Sequence, residues 1–511
     1  MTGSQIQMLI TIIAYLAIIV GVGFAYTKKS NASSESYFLG GRSLGPLVTA
    51  MSAEASDMSG WLLMGLPGVA LMTGLPEAVW TAIGLAVGTY INWLIVAKRL
   101  RVYTHHIGSF TLPDFFGKRF GDKSHLISTV AAIIIIIFFI PYTASGFAAC
   151  GKLFASIFGM EYVTAMILSA IVIIVYCTLG GFLAASLTDF IQSIIMTIAL
   201  FIVVGLGEGV LHGFDNVFNS VASLDGYLDV FKGFDVASGT TSSYGAIPVI
   251  STLAWGLGYF GMPHILLRFM AIDDKNKLKL SRRVASVWVV ISMGIAVLIG
   301  VVGYGLMQKG IVPTYESASA AETIIVDISK YLSGFGVIPA VVAGIILAGI
   351  LASTMSTADS QLLAAASSVS QNLVQETLHI KLSEKKSVWL ARISVIVISV
   401  VAIFLALDPS SSVFGIVSFA WAGFGATFGP VVLFALFWKR TNKWGAFAGM
   451  VAGAITIFVW KFLVRPHFNI YELLPAFIVC CIVIVVVSLL TKEPEKEITD
   501  DFDAVKVSLN A

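Results

Sequence analysis

Apolar runs of membrane-crossing length alternate along this chain with short polar connections. A spanning helix needs about 20 mainly apolar residues. Thirteen runs reach that length: 6–27, 44–72, 76–97, 125–151, 162–180, 183–206, 247–270, 284–308, 336–372, 387–407, 411–438, 444–464 and 471–491. The pattern predicts an all-α polytopic membrane protein. Run 336–372 is too long for one straight crossing, so its last turns are expected to leave the membrane. No A-x-A cleavage site follows the first run, which reads as a retained helix and not as a signal peptide.

Composition agrees with the pattern. Hydrophobic types make up 57% of the chain and Asp, Glu, Lys and Arg only 12%, against roughly 45–50% and about 25% in soluble domains. So little polar surface excludes a soluble enzyme, a nucleic-acid-binding domain and a disordered protein. A lipid bilayer is the implied solvent. The net charge of +2 gives no reason to expect a polyanionic partner. Cys150, Cys177, Cys480 and Cys481 lie in apolar runs without CxxC spacing and read as buried small hydrophobes. His105 and His106 sit in a basic loop and read as solvated.

The positive-inside rule sets the orientation. With the N-terminus outside, 31 Lys and Arg residues divide unequally, and only Lys152, Lys232, Lys309, Lys330, Lys461 and Arg465 stay outside. The expected topology is N-out and C-in. The charged stretch 492–511 reads as a solvated, partly disordered cytoplasmic tail. The longest outer loop is 207–246, and Asn31-Ala32-Ser33 matches a glycosylation acceptor on the wrong side to be used.

Ionisable residues inside spans mark functional sites by default. The second span contains Ser52-Ala53-Glu54-Ala55-Ser56-Asp57-Met58-Ser59-Gly60-Trp61. Ser52, Ser56 and Ser59 share a helix face, and Asp57 and Gly60 follow closely. A carboxylate among poor helix formers predicts an unwound stretch whose free carbonyls suit a cation. A polar helix–helix contact explains the serines equally well, but not Asp57. Glu54 is either one of a pair around a cation or a helix-interface residue.

The ninth span carries Ser353-Thr354-Met355-Ser356-Thr357-Ala358-Asp359-Ser360. Its oxygens are hard ligands, suited to Na+, and too few are charged for a tight divalent site. Hydroxyls bonding back to their own helix are the alternative. The seventh span reads Trp255-Gly256-Leu257-Gly258-Tyr259-Phe260-Gly261-Met262-Pro263. Its G-x-G-x-x-G lacks a βαβ context and is not a nucleotide fingerprint. Three glycines and a proline break a helix there, with aromatics beside the break to line a pocket or to form an interfacial belt.

The two broken spans each head a set of five, helices 2–6 and 7–11. An odd number per set makes the two sets opposite in topology, and paired interruptions in corresponding halves point to a transporter site. Asp189 opens the sixth span, either to neutralise a cation or to cap the helix. Tyr142 follows Pro141 in the fourth span and is a further pocket candidate. Arg42, in Gly40-Gly41-Arg42-Ser43, is a topology anchor or part of an inner gate. Asp57 with Asp189 or Asp359 could serve an intramembrane enzyme, but no nucleophile–base–oxyanion set accompanies them, and no repeated filter sequence suggests a channel.

Several runs resemble the sodium/solute symporter family, and within it the bacterial sodium/proline symporters. They are LGGRSLGP (39–46), SDMSGWLLMGLPG (56–68), TLPDFF (111–116), GGFLAASLTD (180–189), WGLGYFGMPHI (255–265), MST (355–357) and AGFGATFGPVVLF (422–434). The resemblance implies a leucine-transporter-like 5+5 inverted repeat in one transporter domain, 1–491. Within it, 6–27 is an extra first helix, 44–206 and 247–438 the repeats, and 444–491 two additional helices. It implies Na+-coupled uptake of L-proline by alternating access across a bacterial plasma membrane, with no organic cofactor and no obligatory protein partner; the alternative is a Na+-coupled symporter of another amino acid, a sugar, a vitamin or an organic anion. The family's sodium site falls on backbone oxygens of Ala55, Met58 and Ser353 and hydroxyls of Ser356 and Thr357. Its substrate pocket falls on Asp57, Ser59, Gly60, Trp61, Tyr142, Trp255, Tyr259 and Pro263. Asp189 matches a family aspartate tied to sodium affinity or release. Glu54 and Asp359 depart from the pattern and could add an ion site or alter the pH dependence, so both, with Asp189 and Arg42, are candidates for coupling or gating.

Overall fold

The computed structural model describes residues 1–30 and 33–510. Asn31 and Ala32 of the expected sequon lie outside that range. Ten helices among the described residues are long and apolar enough to cross a membrane, and three shorter apolar helices, Trp61–Thr73, Tyr162–Thr178 and Ala246–Phe260, stand where further crossings are expected. Each is short because the chain is interrupted there.

The helices that position the site are α1 (Gly3–Ser30), α2 (Pro46–Asp57), α3 (Leu66–Thr73), α4 (Leu75–Ile91), α5 (Ala97–His106), α6 (Leu112–Arg119), α7 (Leu126–Phe158), α8 (Tyr162–Leu211), α9 (Ala246–Leu253), α10 (Pro263–Ala271), α11 (Leu278–Gln308), α12 (Val337–Ser367), α13 (Glu384–Leu405), α14 (Val413–Phe437), α15 (Lys443–Val459), α16 (Leu473–Leu490) and α17 (Lys496–Asn510). The expected spans 162–180 and 183–206 are the two arms of α8, which part at Gly181, where φ 63° and ψ −177° leave the helical region in a conformation only glycine adopts freely. α12 ends near Ser367 and gives way to a wider-wound turn over Ser368–Thr377, so the long ninth run does change character at its end.

α12 packs along α8 and α1, α2 lies against α8, α10, α11 and α12, and α14 sits between α7 and α16. Close approach at the second interruption depends on glycine: a Cβ on Gly88 of α4 would stand 2.3 Å from Gly256 O. On the basic face, the start of α2 and the end of α10 are joined directly. Leu44 N donates to Ala271 O at 3.1 Å and Asp273 N to Leu44 O at 3.0 Å.

Two polar segments are more ordered than their composition suggests. The stretch 207–246 holds a helix at Phe214–Ala222 and an antiparallel hairpin of Lys232–Asp235 and Thr240–Ser243. Tyr227 OH anchors it by donating to Ala70 O at 2.9 Å. The expected disordered tail is instead α17. Ile498, Phe502, Val505 and Leu509 recur at helical spacing, which gives one apolar face despite the low overall hydrophobicity. Phe502 and Val505 are buried, the Arg119 guanidinium lies 5.1 Å from the Phe502 ring centroid, and His106 pairs with Asp501 at 2.9 Å. His105 and His106 are exposed as expected, Cys150, Cys177 and Cys480 are buried, and Cys481 is half-buried.

Candidate functional site

Poor helix formers end α2 where a carboxylate and a glycine follow one another. Met58 leaves the helical region at φ −79°, ψ 72°, and the chain rewinds over Trp61–Gly65 as a π-helix before α3. A helix end in the middle of a membrane leaves carbonyls without intrahelical donors. Side chains from elsewhere satisfy them. Ala55 O accepts from Ser356 Oγ at 2.7 Å and from Thr357 Oγ1 at 3.4 Å. Each hydroxyl also lies 3.1 Å from Ser353 O, so its one proton is shared between the two carbonyls. Four oxygens from α2 and α12 thus converge, and Ala55, Ser353, Ser356 and Thr357 are all buried. The donors are neutral and hard, and a hydroxyl that gives its proton to a carbonyl keeps lone pairs for a cation. That chemistry fits Na+. Met58 is the non-helical residue itself, and its thioether accepts from Ser292 of α11 at 3.6 Å.

Asp57 O accepts from Trp61 Nε1 at 3.0 Å and from Tyr142 OH at 3.2 Å. The Asp57 carboxylate reaches the second interruption: Tyr259 OH donates to Oδ2 at 2.6 Å, while Oδ1 has no partner among the described residues. One side chain therefore ties the two breaks together. Ser59 Oγ stands 3.5 Å from Trp61 N, and a Cβ on Gly60 would come within 2.9 Å of the Ala149 methyl.

The second break runs from α9 through a 3-10 segment, Ala254–Phe260, to Pro263 at the start of α10. Trp421 Nε1 donates to Trp255 O at 2.8 Å and Asn92 Nδ2 to Tyr259 O at 3.0 Å, which satisfies its carbonyls from α14 and from the segment after α4. Aromatic rings cluster between the breaks. Trp255 lies 6.1 Å from Trp61, 5.3 Å from Phe414 and 5.2 Å from Tyr471, centroid to centroid, and Tyr259 meets Trp421 edge-on at 5.0 Å. Trp61, Tyr142, Trp255, Tyr259 and Pro263 are all buried.

A charged network lies toward the basic face. Asp189 Oδ2 pairs with Arg268 Nη2 at 3.0 Å and accepts from Ser52 Oγ at 2.7 Å. Arg268 Nε donates to Ser52 Oγ at 3.0 Å, and Nη1 to His264 O at 2.9 Å. Arg268 also donates to Ser360 Oγ, which in turn donates to Asp359 Oδ1 at 3.0 Å. Four helices, α2, α8, α10 and α12, meet in this network. Asp189 therefore faces a guanidinium from inside α8 and does not cap a helix start. Glu54 is separate from this cluster. Its Oε1 accepts from Trp93 Nε1 at 2.9 Å, and its Oε2 has no partner among the described residues.

Arg42 joins the basic-face connections. It donates to Met270 O at 2.9 Å, to Thr104 O at 3.2 Å and to Ser109 O, and it pairs with Glu35 at 3.5 Å. Burial and the neighbouring Arg101 guanidinium lower its pKa to about 10. A cation spent on three carbonyls is more than a topology anchor.

Sequence reasoning brings Asp57 together with Tyr259, Trp61 and Tyr142, and Ala55 together with Ser353, Ser356 and Thr357. It misses Arg268, Asn92, Trp93, Phe414 and Trp421. Arg268 stands five residues after Pro263, still inside an apolar run, and counting it as an inside loop charge hid it. Asn92-Trp93 is a polar step inside the third span, the same kind of signal that singled out Asp57.

The sequence profile of the sodium:solute symporter family matches residues 37–453. The osmoregulated proline transporter OpuE of Bacillus subtilis (strain 168) is 42% identical over 495 residues, 96% of each chain. The sodium/proline symporter of Staphylococcus aureus (strain USA300) is 42% identical over 511 residues, 98% of this chain and 96% of the relative. A Na+-coupled sialic acid symporter, solved with substrate in an outward-open state, superposes with a TM-score of 0.77 at 17% identity, over 96% of this chain and 99% of its own. A nucleobase-cation-symport-1 family transporter, solved closed around bromovinylhydantoin, gives a TM-score of 0.51 at 12% identity, over 91% and 98%. These two likenesses concern the fold alone, which is leucine-transporter-like. The profile match and the two relatives carry the rest: this chain is a multi-pass bacterial plasma-membrane protein and belongs to the sodium:solute symporter family.

Proposed function

We propose that the chain takes up L-proline by coupling it to inward Na+ movement, with the N-terminus outside and the C-terminus inside. The observation that carries the reading is the convergence of Ala55, Ser353, Ser356 and Thr357 oxygens at the same helix break whose Asp57 holds Tyr259. Na+ at that cluster, completed by the Met58 carbonyl, pins α2 to α12. Pinning fixes Asp57, and Asp57 fixes the second break through the Tyr259 hydroxyl. The solute pocket lies between the breaks, on Asp57, Ser59, Gly60, Trp61, Tyr142, Trp255, Tyr259 and Pro263. The proline carboxylate meets backbone N–H groups where the helix restarts after Gly60, and the ring meets the Trp61–Trp255 wall. Each ligand then favours the same conformation, and the coupling is reciprocal. Asp189 and Asp359, with Arg268, and Arg42 gate the inner side. Glu54 sets the seat of α2 against Trp93.

The names of the relatives at 42% identity favour proline as the solute. Pocket specificity turns on single groups, so the test uses competitors. Labelled L-proline is offered to proteoliposomes with and without an inward Na+ gradient, in the presence of excess unlabelled amino acids, sugars, vitamins or organic anions. Accumulation that needs the gradient and is displaced by proline alone is the expected result. Uptake without sodium, or displacement by another solute class, overturns the assignment.

A further inference from the structure

Away from the charged network, at the opposite end of the aromatic wall, a second buried ion pair sits near the end of α7. Lys152 and Glu322 are 2.6 Å apart, with 8% and 1% of their side chains exposed. Lys152 Nζ also donates to Ser411 O at 2.8 Å and to Ser319 Oγ at 3.0 Å. The other carboxylate oxygen of Glu322 accepts from Ser412 Oγ at 2.9 Å and from Phe414 N at 3.2 Å, so it caps the start of α14. Phe414 is the residue whose ring covers Trp255 at 5.3 Å and Trp61 at 6.4 Å. One continuous set of contacts runs from the ammonium through the carboxylate and the helix start to the aromatic wall.

A buried ion pair repays its dehydration only while its remaining hydrogen bonds are made. The pair draws on three segments, the end of α7, residues 319–322 and residues 411–414, so closing it assembles them.

We propose that Lys152 and Glu322 are positioning residues of the transport site, which seat Phe414 as a roof over Trp61 and Trp255 and hold the outer side of the site closed. The inference rests on the transport reading and orientation given above. Ser418 lies one turn beneath Phe414 on α14 and is 7% exposed. A Ser418→Cys reporter is placed in the full chain, and its reaction with a membrane-impermeant thiol reagent is timed on intact cells in Na+ and proline. Lys152→Met and Glu322→Gln are expected to speed labelling about tenfold and to lower maximal uptake by a similar factor, because removing one partner leaves a buried uncompensated charge. Half-saturating Na+ stays at or below the parent value, since the outward-open state is favoured. Lys152→Arg keeps the charge and is expected to restore slow labelling. Labelling indistinguishable from the parent in both Lys152→Met and Glu322→Gln overturns the proposal. If those variants do not reach the membrane, Phe414→Ala decides, because it removes the roof and leaves the pair intact: fast labelling supports the proposal and unchanged labelling overturns it. Should the parent show no sodium-dependent proline uptake, the transport reading fails separately, and the labelling comparison in Na+ alone still decides the latch.

Discussion

The two helix breaks do different work with different residues. The first, at Met58–Gly60, is built from oxygen: Ala55 and Asp57 offer carbonyls that Ser356, Thr357, Trp61 and Tyr142 satisfy. The second, at Ala254–Met262, is built from absent side chains. Gly256 lies against Gly84, Gly258 against the Trp421 indole and Gly261 against Phe424 O, each too close for a Cβ. Under the proposed function, exchangeable hydrogen-bond partners let an ion enter and leave. Tight backbone contact fixes where Trp255 and Tyr259 stand. An ion-coupled site needs both qualities, and here each break supplies one, joined by the Tyr259–Asp57 hydrogen bond.

That contrast is easiest to break at the second site. A Cβ on Gly256 would stand 2.2 Å from Gly84 O, a backbone atom that cannot swing away. Gly256→Ala is expected to abolish folded protein, read as loss of the monodisperse peak after extraction, because overpacking against backbone costs about 3 kcal/mol or more. At the first site the fold should survive while function goes. Asp57→Ala is expected to reach the membrane normally and to lower proline uptake efficiency by about a hundredfold or more, since the carboxylate that hydrogen-bonds across the two breaks is gone. Comparing initial uptake rates with surface abundance checks it.

Smaller changes sharpen the comparison. Tyr259→Phe removes the bridging hydroxyl and leaves both breaks in place. A hydrogen bond to a charged group contributes about 1.5–3 kcal/mol, so KM for proline is expected to rise about tenfold with little change in surface yield. Glu54→Gln retains the acceptor for Trp93 Nε1 and removes an ionisable group. It is expected to leave uptake within about threefold of the parent, because its bond lies outside the link between the breaks. A collapse of uptake in Glu54→Gln would place that carboxylate inside the coupling path instead.

Much of the first break was legible because it breaks a strong rule: a carboxylate and three serines do not belong inside an apolar run unless they have partners. The second was legible as a break, since glycine and proline punctuate a helix locally. Its partners were not. Asn92 and Trp421 are distant in sequence, and the backbone crossing of Gly88 on Gly256 is a tertiary fact. Arg268, near the end of the expected span 247–270, is not singled out by the sequence for a related reason. Charge counting assigns a residue to a side by its place near a span end, whereas Arg268 points inward to an aspartate 79 positions away. The tail was misread because average composition hides an apolar stripe of four residues. Within α8, the two expected helices were legible because Gly180-Gly181 breaks the apolar pattern, and Gly181 leaves the helical region there.

The claim at the centre is that sodium acts on proline through the Ala55 carbonyl and the hydroxyls of α12. The most direct test measures binding of labelled L-proline to the purified Ser356→Ala chain as Na+ is titrated. Half-saturating Na+ is expected to rise about tenfold, a change of about 1.4 kcal/mol, while proline affinity at saturating Na+ stays near that of the parent. A Na+ titration that superposes on the parent's would contradict it.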